Sequence, residues 1–239
     1  MKMKGIKLFL LALVAGVFMV SCDSAKEGGE GEGGGETAGT ETEVAATPEA
    51  YAITTDGAEV MWTGSKSEGA HYGSLALSGG SVEVTGDGIT GGSATIDLAG
   101  MTVMDEGLDE ETKGKLIGHL SSEDFFNVAA HPNVTVAITG SEAYSGGGET
   151  IPDDTPEALE SYFITAPTHN IMAKLTIKGE EHEITFPASI KMAEGSLDAA
   201  AFISFDRREY GLRFMSDTEA NVNPTIHLGV KFSAAKQAS

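Results

Sequence analysis

The sequence predicts an all-β domain, an antiparallel barrel of eight or nine strands with one helix beside it. The first observation is alternation, because in several segments apolar side chains occupy every second position, which is typical of a strand with one buried and one wet face. Four segments show it most clearly, at 134–139, 171–178, 183–190 and 226–232. The second observation is the short spacing between segments. Closing a sheet removes its exposed edges, so many strands with short connections favour a barrel.

Five shorter segments complete the predicted strands. They span 60–62, 72–77, 82–84, 94–98 and 201–205. Glycines between several segments predict tight turns, because glycine adopts the positive φ values that many turns need. The predicted turns are Gly79 with Gly80, Gly86 to Gly88, and Lys178 to Glu180. The strands are therefore expected to follow one another as hairpins.

One helix is expected among the strands, from about residue 110. Acidic residues at 109–111 precede Lys113 and Lys115, an order that matches the helix dipole. Apolar residues within 116–120 form a stripe that can pack on another surface. A helix at this place is expected to cap or flank the barrel.

Two further local features follow the helix. Ser122 is predicted to be the N-cap of a short turn that carries the aromatic pair at 125–126. Residues 141–168 form a long polar excursion between strands. Within this excursion Thr155 precedes Pro156, the cap-then-proline order of a short helix start.

The composition argues against several functions. The chain carries 36 acidic and 15 basic side chains, so its surface repels nucleic acids and none is expected as a partner. The single cysteine excludes an internal disulfide, and the six histidines lack metal-ligand spacing. The glycine-rich stretch at 86–91 precedes a strand, whereas a dinucleotide-binding loop opens a helix. No cofactor, metal or enzymatic activity is expected.

The amino terminus has the layout of an export signal. Lysines within 2–7 precede the apolar run 8–20, which is too short to span a bilayer comfortably. Ser21 and Cys22 follow, and residues 18–22 resemble a bacterial lipoprotein box. The resemblance implies cleavage before Cys22 and diacylation of its thiol, which would anchor the protein stably on a membrane. The alternative is an ordinary secretory signal that ends near a cysteine.

Composition divides the chain into three parts. Residues 1–21 are the predicted lipoprotein signal peptide. Residues 22–50 contain the lipidated Cys22 and a linker rich in glycine and glutamate, which cannot bury enough surface to fold. Residues 51–239 form the predicted barrel domain, which is of single-domain size. The expected location is the bacterial cell envelope, with the domain facing the periplasm or exposed at the surface.

Several short motifs resemble those of one family along residues 51–232. The most specific is the stretch HLSSEDFF at 119–126, which leads through His131 and Pro132 into a strand. The others are the opening strand at 51–66, HYG at 71–73, IDL at 96–98, LTIKG at 175–179 and DRREYG at 206–211. Their order is similar to that of the YceI-like family of lipocalin-shaped, polyisoprenoid-binding barrels, in its lipoprotein branch.

This resemblance implies an eight-stranded lipocalin-like β-barrel around a channel for one long apolar chain. The expected ligand is an isoprenoid lipid, either a polyisoprenoid or an isoprenoid quinone, and a homodimer is possible in this family. Trp62, Phe125, Phe126, Phe186 and Phe205 are the expected apolar contacts. Each of these residues is equally compatible with an ordinary core position.

His119 is the expected polar contact, since it ends the capping helix within reach of a ligand headgroup. A histidine at a helix C-terminus is also favoured by the dipole alone. Asp206 and Arg207 are interpreted as a structural ion pair. Two alternative functions remain at this stage. The first is an envelope scaffold with a filled barrel, which binds a protein through 141–168. The second is an enzyme that uses a histidine such as His119 or His71.

Overall fold

The computed structural model describes residues 46–67, 69–147, 149–213 and 222–238, all within one compact unit that spans Val44–Ser239. Eight antiparallel strands form a closed barrel in sequence order, and the first strand pairs with the last. The strands are β1 Glu49–Lys66, β2 Gly69–Thr85, β3 Gly88–Asp97, β4 Asn133–Ala143, β5 His169–Ile177, β6 Glu180–Ala193, β7 Ser196–Asp206 and β8 Val222–Lys236. The predicted all-β, eight-stranded antiparallel barrel is confirmed.

Two helices accompany the barrel, α1 Glu110–Ser121 between β3 and β4 and α2 Glu157–Glu160 between β4 and β5. Neither of these described helices has the length and hydrophobicity needed to cross a bilayer. The predictions for Cys22, the signal peptide and the linker up to residue 45 fall outside the described residues.

The alternating segments place their apolar side chains inside the barrel. In β5, Ile171, Ala173, Leu175 and Ile177 are buried, while the residues between them are partly exposed. The same alternation holds in β4 and β6, whereas Ile226 to Gly229 in the centre of β8 are all buried. Period-two patterning therefore located the lumen face of the barrel directly from the sequence.

The predicted turn at Gly79 and Gly80 is wrong, because both glycines lie inside β2, which is continuous. Their φ angles are 154° and 151°, and the pairing with β3 shifts register at Gly79. A Cβ atom at Gly80 would overlap the carbonyl oxygen of Ser93 on β3. The pair therefore bends a long strand at a bulge. The turns at 86–87 and 178–179 are confirmed.

Helix α1 forms as the sequence predicts. Asp109 is its N-cap and accepts a hydrogen bond from the backbone nitrogen of Thr112 at 2.7 Å. Strands β1, β3, β5 and β7 run toward the end of the barrel at which α1 lies, which we call the α1 end. Ser122 was wrongly predicted as an N-cap, since its hydroxyl donates to the carbonyl of His119 at 2.7 Å and closes α1. Its own carbonyl accepts from Phe125 and Asn127, which forms the expected aromatic turn.

Residues 144–147 and 149–168 belong to a strap that crosses the outside of the barrel. The strap leaves β4 at the end opposite α1 and reaches Ser65 near the α1 end, where Asp154 accepts the serine hydroxyl at 3.0 Å. Where the strap runs back along the barrel, the hydroxyl of Tyr162 donates to the carboxylate of Glu59 of β1 at 2.8 Å. Burial, with Glu59 beside it, raises the pKa of Tyr162 to about 12, so the phenol remains a donor.

The strap covers a second apolar cluster outside the lumen. Leu159 of α2 is completely buried, and Phe163 packs edge-on against Phe202 of β7 with the ring centroids 5.4 Å apart. Gly229 of β8 lies beneath Tyr162, where any side chain would overlap the tyrosine. In α2 the N-cap position is occupied by Pro156, so the predicted cap at Thr155 is wrong while the short helix is confirmed.

Truncation of Leu159 tests this packing. Leu159→Ala should lower the free energy of unfolding by about 2–5 kcal/mol, because it removes a fully buried side chain and leaves a cavity. Urea unfolding followed by circular dichroism measures the loss. Ile151→Ala, at a residue of the same strap that is 38% exposed, is the matched control and should change stability little. Equal stabilities for the two variants would contradict the docked strap.

Acid should loosen the strap through Asp154. Burial alone would raise the pKa of this carboxyl, but the hydrogen bonds from His227 and Ser65 and the charge of His227 outweigh burial and lower the pKa. Its stabilisation is therefore complete above the unfolded-state pKa of about 3.9 and is lost as the pH falls through the folded-state value.

The corresponding measurement is the melting temperature between pH 7 and pH 2 for Asp154→Asn and the native chain. Asp154→Asn should lower the melting temperature at neutral pH and flatten its fall below about pH 4. Glu157→Gln, at an exposed residue of the same strap, should keep the native profile. If the melting temperatures of Asp154→Asn and the native chain fall in parallel as the pH is lowered, the role of this carboxylate is refuted.

Candidate binding cavity

The barrel contains a cavity of about 80 Å³ in the part remote from α1, which we call the far cavity. All eight strands contribute to its wall, and every described residue of the wall is apolar. Phe186, Ala188 and Ala201 belong to this wall, and Ala188 of β6 pairs directly with Ala201 of β7. Such an enclosure suits hydrocarbon and offers no hydrogen bond to water.

A second apolar cavity of about 70 Å³, the near cavity, lies between the far cavity and α1. The two cavities share Ile96 and Leu228 as walls, so they are adjacent along the barrel. Leu120 of α1 and the aromatic turn that follows the helix close the near cavity from the α1 end. The lumen is therefore a divided apolar channel beneath a helical cap.

A third cavity, the mouth, lies at the α1 end and measures about 410 Å³. It shares Trp62, Leu120 and Phe125 with the near cavity, so these residues stand between the lumen and the mouth. Polar side chains line the mouth, in contrast to the lumen. They are Ser65, Lys66, His71, Thr112, Lys115, His119, Arg207 and Asn223.

Trp62 is fixed at this boundary by a specific contact. Its indole nitrogen donates to the carbonyl oxygen of Thr102 at 3.1 Å. Gly73 pairs with Trp62 across β1 and β2, and the lack of a side chain at Gly73 leaves room for the indole. Thr102 is held in turn by its backbone nitrogen, which donates to Ser74 at 2.9 Å. The tryptophan is thus a rigid part of the wall.

The structure brings most of the predicted contacts together. Trp62, Phe125, Phe126 and Phe205 all line the near cavity, and the rings of Phe125 and Phe126 meet edge-on at 4.8 Å. His119 is half-buried at the mouth, with its ring centroid 6.2 Å from that of Phe125. Phe186 stands apart from this group, in the far cavity. The role of these six residues as ligand contacts stays a prediction.

The predicted pair of Asp206 with Arg207 is wrong. Asp206 instead accepts hydrogen bonds from Arg208, two residues later, whose guanidinium nitrogens lie at 2.5 and 2.9 Å, and this hydrogen bonding lowers the pKa of the carboxyl. Arg207 is buried and donates to the carbonyl oxygens of Leu212 at 2.6 Å and Asn223 at 3.2 Å. Because Arg207 and Arg208 are adjacent, the sequence did not show which of them pairs with Asp206.

Sequence reasoning singled out His71 and His119 but missed the lysines and the arginine of the mouth. Lys66 and His71 flank the β1–β2 hairpin, Lys115 belongs to α1, and Arg207 follows β7. These residues are far apart in the chain, and only barrel closure assembles them. Lys66, His71 and Arg207 lie within the family-like motifs, but those motifs carry no information about a shared cavity.

The far and near cavities are small for a long ligand. An engineered cavity of roughly 150 Å³ holds one benzene molecule, whereas these cavities measure about 80 and 70 Å³. A long chain therefore fits only if the lumen side chains, or α1 with its aromatic turn, move aside. No residue of α1 is fully buried, so the helix is the part of the enclosure least fixed by packing.

A closed antiparallel barrel with an apolar interior and one helix-capped mouth defines a class of barrels suited to small apolar ligands. Within that class, the family model of the YceI-like domain matches residues 51–234. The chain belongs to this family.

Two solved structures share the fold. The BcnA protein of Burkholderia cenocepacia has 15% identity and a TM-score of 0.52, covering 77% of this chain and 99% of BcnA. A polyisoprenoid binding domain from Saccharophagus degradans, implicated in plant cell wall breakdown, has 11% identity and a TM-score of 0.53, covering 79% and 99% of the two chains. The comparison with curated proteins gave no match.

Proposed function

We propose that this protein binds an isoprenoid-type lipid, a polyisoprenoid or an isoprenoid quinone, inside its barrel and performs no chemistry on it. The observation that carries the proposal is the apolar wall, which extends from the far cavity through the near cavity to Trp62 and Phe125. The family and the polyisoprenoid-binding domain of Saccharophagus degradans support the same ligand class. Each buried methylene contributes about 0.8 kcal/mol, so a few isoprene units suffice for useful affinity.

The direct test is mass spectrometry of organic extracts from the full chain, purified from a bacterial envelope without added lipid. A stoichiometric isoprenoid or quinone is the expected result. A clean extract, together with no uptake of such lipids on later incubation, would refute lipid carriage. That outcome would favour the second candidate function below.

We also propose that Cys22 is acylated and tethers the barrel to a membrane of the bacterial cell envelope. The support is the sequence around Cys22, where an apolar run and Ser21 precede the cysteine as in a bacterial lipoprotein box. Labelling of the native chain with radioactive palmitate should be lost in Cys22→Ser. Equal labelling of the two chains would refute the anchor.

The second candidate is a non-catalytic envelope scaffold with a filled barrel, and the small cavities favour it. The strap uses Leu159 and Phe163 against its own barrel, so a partner would meet only its exposed outer face. Deletion of the strap would also uncover an apolar wall of the barrel. Charge reversal of the exposed Glu157 and Glu160 is therefore the cleaner test of partner binding. Loss of a partner with lipid content unchanged would support this role.

A further inference from the structure

Three hydrogen-bonded side chains lie on the outer wall of the barrel, and we call them the Ser204 relay. The hydroxyl of Ser204 on β7 lies 2.7 Å from Nδ1 of His227 on β8. Nε2 of the same ring lies 3.0 Å from Oδ1 of Asp154 in the strap. Ser204 is exposed, whereas only 3% of His227 is exposed. A serine beside a histidine that a carboxylate orients is the signature of an activated nucleophile.

Asp154 determines which nitrogen of His227 carries the hydrogen. Burial opposes ionisation of this carboxyl, but hydrogen bonds from His227 and Ser65 outweigh burial and lower its pKa, so it is a carboxylate at neutral pH. A carboxylate only accepts, so Nε2 donates to it, and in the neutral ring Nδ1 then accepts from the hydroxyl of Ser204. Ser65 and Asn223 donate to the second carboxylate oxygen at 3.0 and 2.5 Å. The imidazole is thus held in the tautomer that a general base requires.

The register of β7 and β8 explains why the serine meets the histidine. The backbone nitrogen of Arg207 donates to the carbonyl of Pro224 at 2.8 Å, so these two residues form a hydrogen-bonded pair. Such pairs alternate with non-hydrogen-bonded pairs in an antiparallel ladder. Ser204 and His227 lie opposite each other at an odd offset from that pair, so theirs is a non-hydrogen-bonded pair. Side chains approach most closely in pairs of this kind, which brings the hydroxyl and the imidazole together.

The same alternation leaves the backbone nitrogen of Ser204 available. It points away from β8 and toward β6, but the pairing of β6 with β7 ends at Ala188 and Ala201. The next pair would be Pro187 with Phe202, and proline lacks the N–H that the ladder needs. Among the described strands, the Ser204 amide therefore lies outside both ladders. In serine enzymes the amide of the nucleophile itself is one of the donors that stabilise the oxyanion.

We propose that Ser204 is a nucleophile that takes acyl groups from small carboxylic esters, with His227 as the base and Asp154 as the positioning residue. This activity goes beyond the proposed lipid binding, because none of the three residues lines the far cavity, the near cavity or the mouth. Since Ser204 is exposed on the outer wall, the ester arrives from solvent.

The reaction is an ester hydrolysis in two steps. Oγ of Ser204 attacks the carbonyl carbon, its proton passes to Nδ1 of His227, and the oxyanion accepts from the Ser204 amide. The carbon–oxygen bond of the ester then breaks, and the leaving alcohol takes the proton from Nδ1, which leaves an acyl-serine. Water attacks this acyl group and gives a proton to Nδ1. Release of the carboxylic acid returns that proton to Oγ, so ester and water become acid and alcohol.

Labelling of the full chain with an alkyl fluorophosphonate tests the nucleophile directly, because an activated serine displaces fluoride from the phosphorus. Peptide mass spectrometry should find about one phosphonyl group per chain, on Ser204, and the chain unfolded in urea should not react. Ser204→Ala should lose the label. Ser233→Ala is the matched control and should keep it, since Ser233 is an exposed serine of the same wall whose hydroxyl donates to Asp198 at 2.6 Å.

Acetylation by p-nitrophenyl acetate tests the base and the positioning residue. His227→Gln should slow the formation of acetyl-Ser204 by about 100-fold or more, because the hydroxyl loses its proton acceptor. Asp154→Asn should slow it as well, because an amide no longer fixes the tautomer of His227. Circular dichroism at neutral pH shows which variants are folded, and only folded variants are compared.

Three results would overturn the proposal. The first is a folded native chain that takes up no phosphonyl group on Ser204. The second is a label that persists at full yield in Ser204→Ala, which would place the reactive group elsewhere. The third is an acetylation rate of Ser204 that is equal in the native chain and in folded His227→Gln or Asp154→Asn, which would reduce the Ser204 relay to a contact that holds the strap.

Discussion

Gly73→Ala should be among the most damaging single changes in the barrel, with an expected loss of about 2–4 kcal/mol of unfolding free energy. A Cβ atom there would overlap the carbonyl oxygen of Thr102 and lie 2.9 Å from the indole nitrogen of Trp62. The carbonyl cannot yield easily, because the backbone nitrogens of Thr102 and Met104 donate to β2 at 2.9 and 2.8 Å. The substitution therefore breaks the hydrogen bond of Trp62 and displaces the wall of the near cavity.

Two measurements check this result together. Urea unfolding gives the loss of stability, and the emission of Trp62 should shift to longer wavelength as its ring becomes more exposed. Gly64→Ala is the control in the neighbouring strand, since a Cβ atom at Gly64 meets nothing within 4 Å. Native-like stability and emission for Gly73→Ala would show that Trp62 does not occupy this position.

The sequence predicted the lumen face of the barrel well because the signal is local. In β4 and β5 every second side chain reports the environment of its own position, so no long-range information is needed. Gly79 and Gly80 show that local sequence information is not always sufficient. The same dipeptide is compatible with a turn or with a bulge, and the nearby carbonyl of Ser93, thirteen residues later, determines which one forms.

The same distinction between local and long-range information applies to the candidate site. The aromatic turn with Phe125 and Phe126 is a contiguous motif, so its position at the near cavity follows from a short stretch of sequence. The mouth joins Lys66, Lys115 and Arg207 from distant segments, and no local pattern links them. The strap is a further case, since its docking depends on Gly229 beneath Tyr162. Residues that meet only through barrel closure were therefore the ones missed.

Filling the far cavity should block the ligand tail. Ala201 is buried, lines this cavity and faces Ala188 of β6 and Val230 of β8. In Ala201→Leu the larger side chain occupies a space of about 80 Å³ that the tail needs, at an overpacking cost of about 1–3 kcal/mol. The affinity for a long isoprenoid should fall more than tenfold, since the loss of two or three buried methylenes costs about 2 kcal/mol.

Ala137→Leu makes the same change on the exposed outer face of β4 and should bind lipid as the native chain does. Isothermal titration with the isoprenoid recovered from the native protein, or with geranylgeraniol, measures both variants, and circular dichroism confirms that Ala201→Leu is folded. Unchanged affinity in a folded Ala201→Leu would show that the tail does not reach the far cavity. The ligand would then lie in the near cavity and the mouth alone, where Trp62 and Phe125 would supply most of its apolar contact.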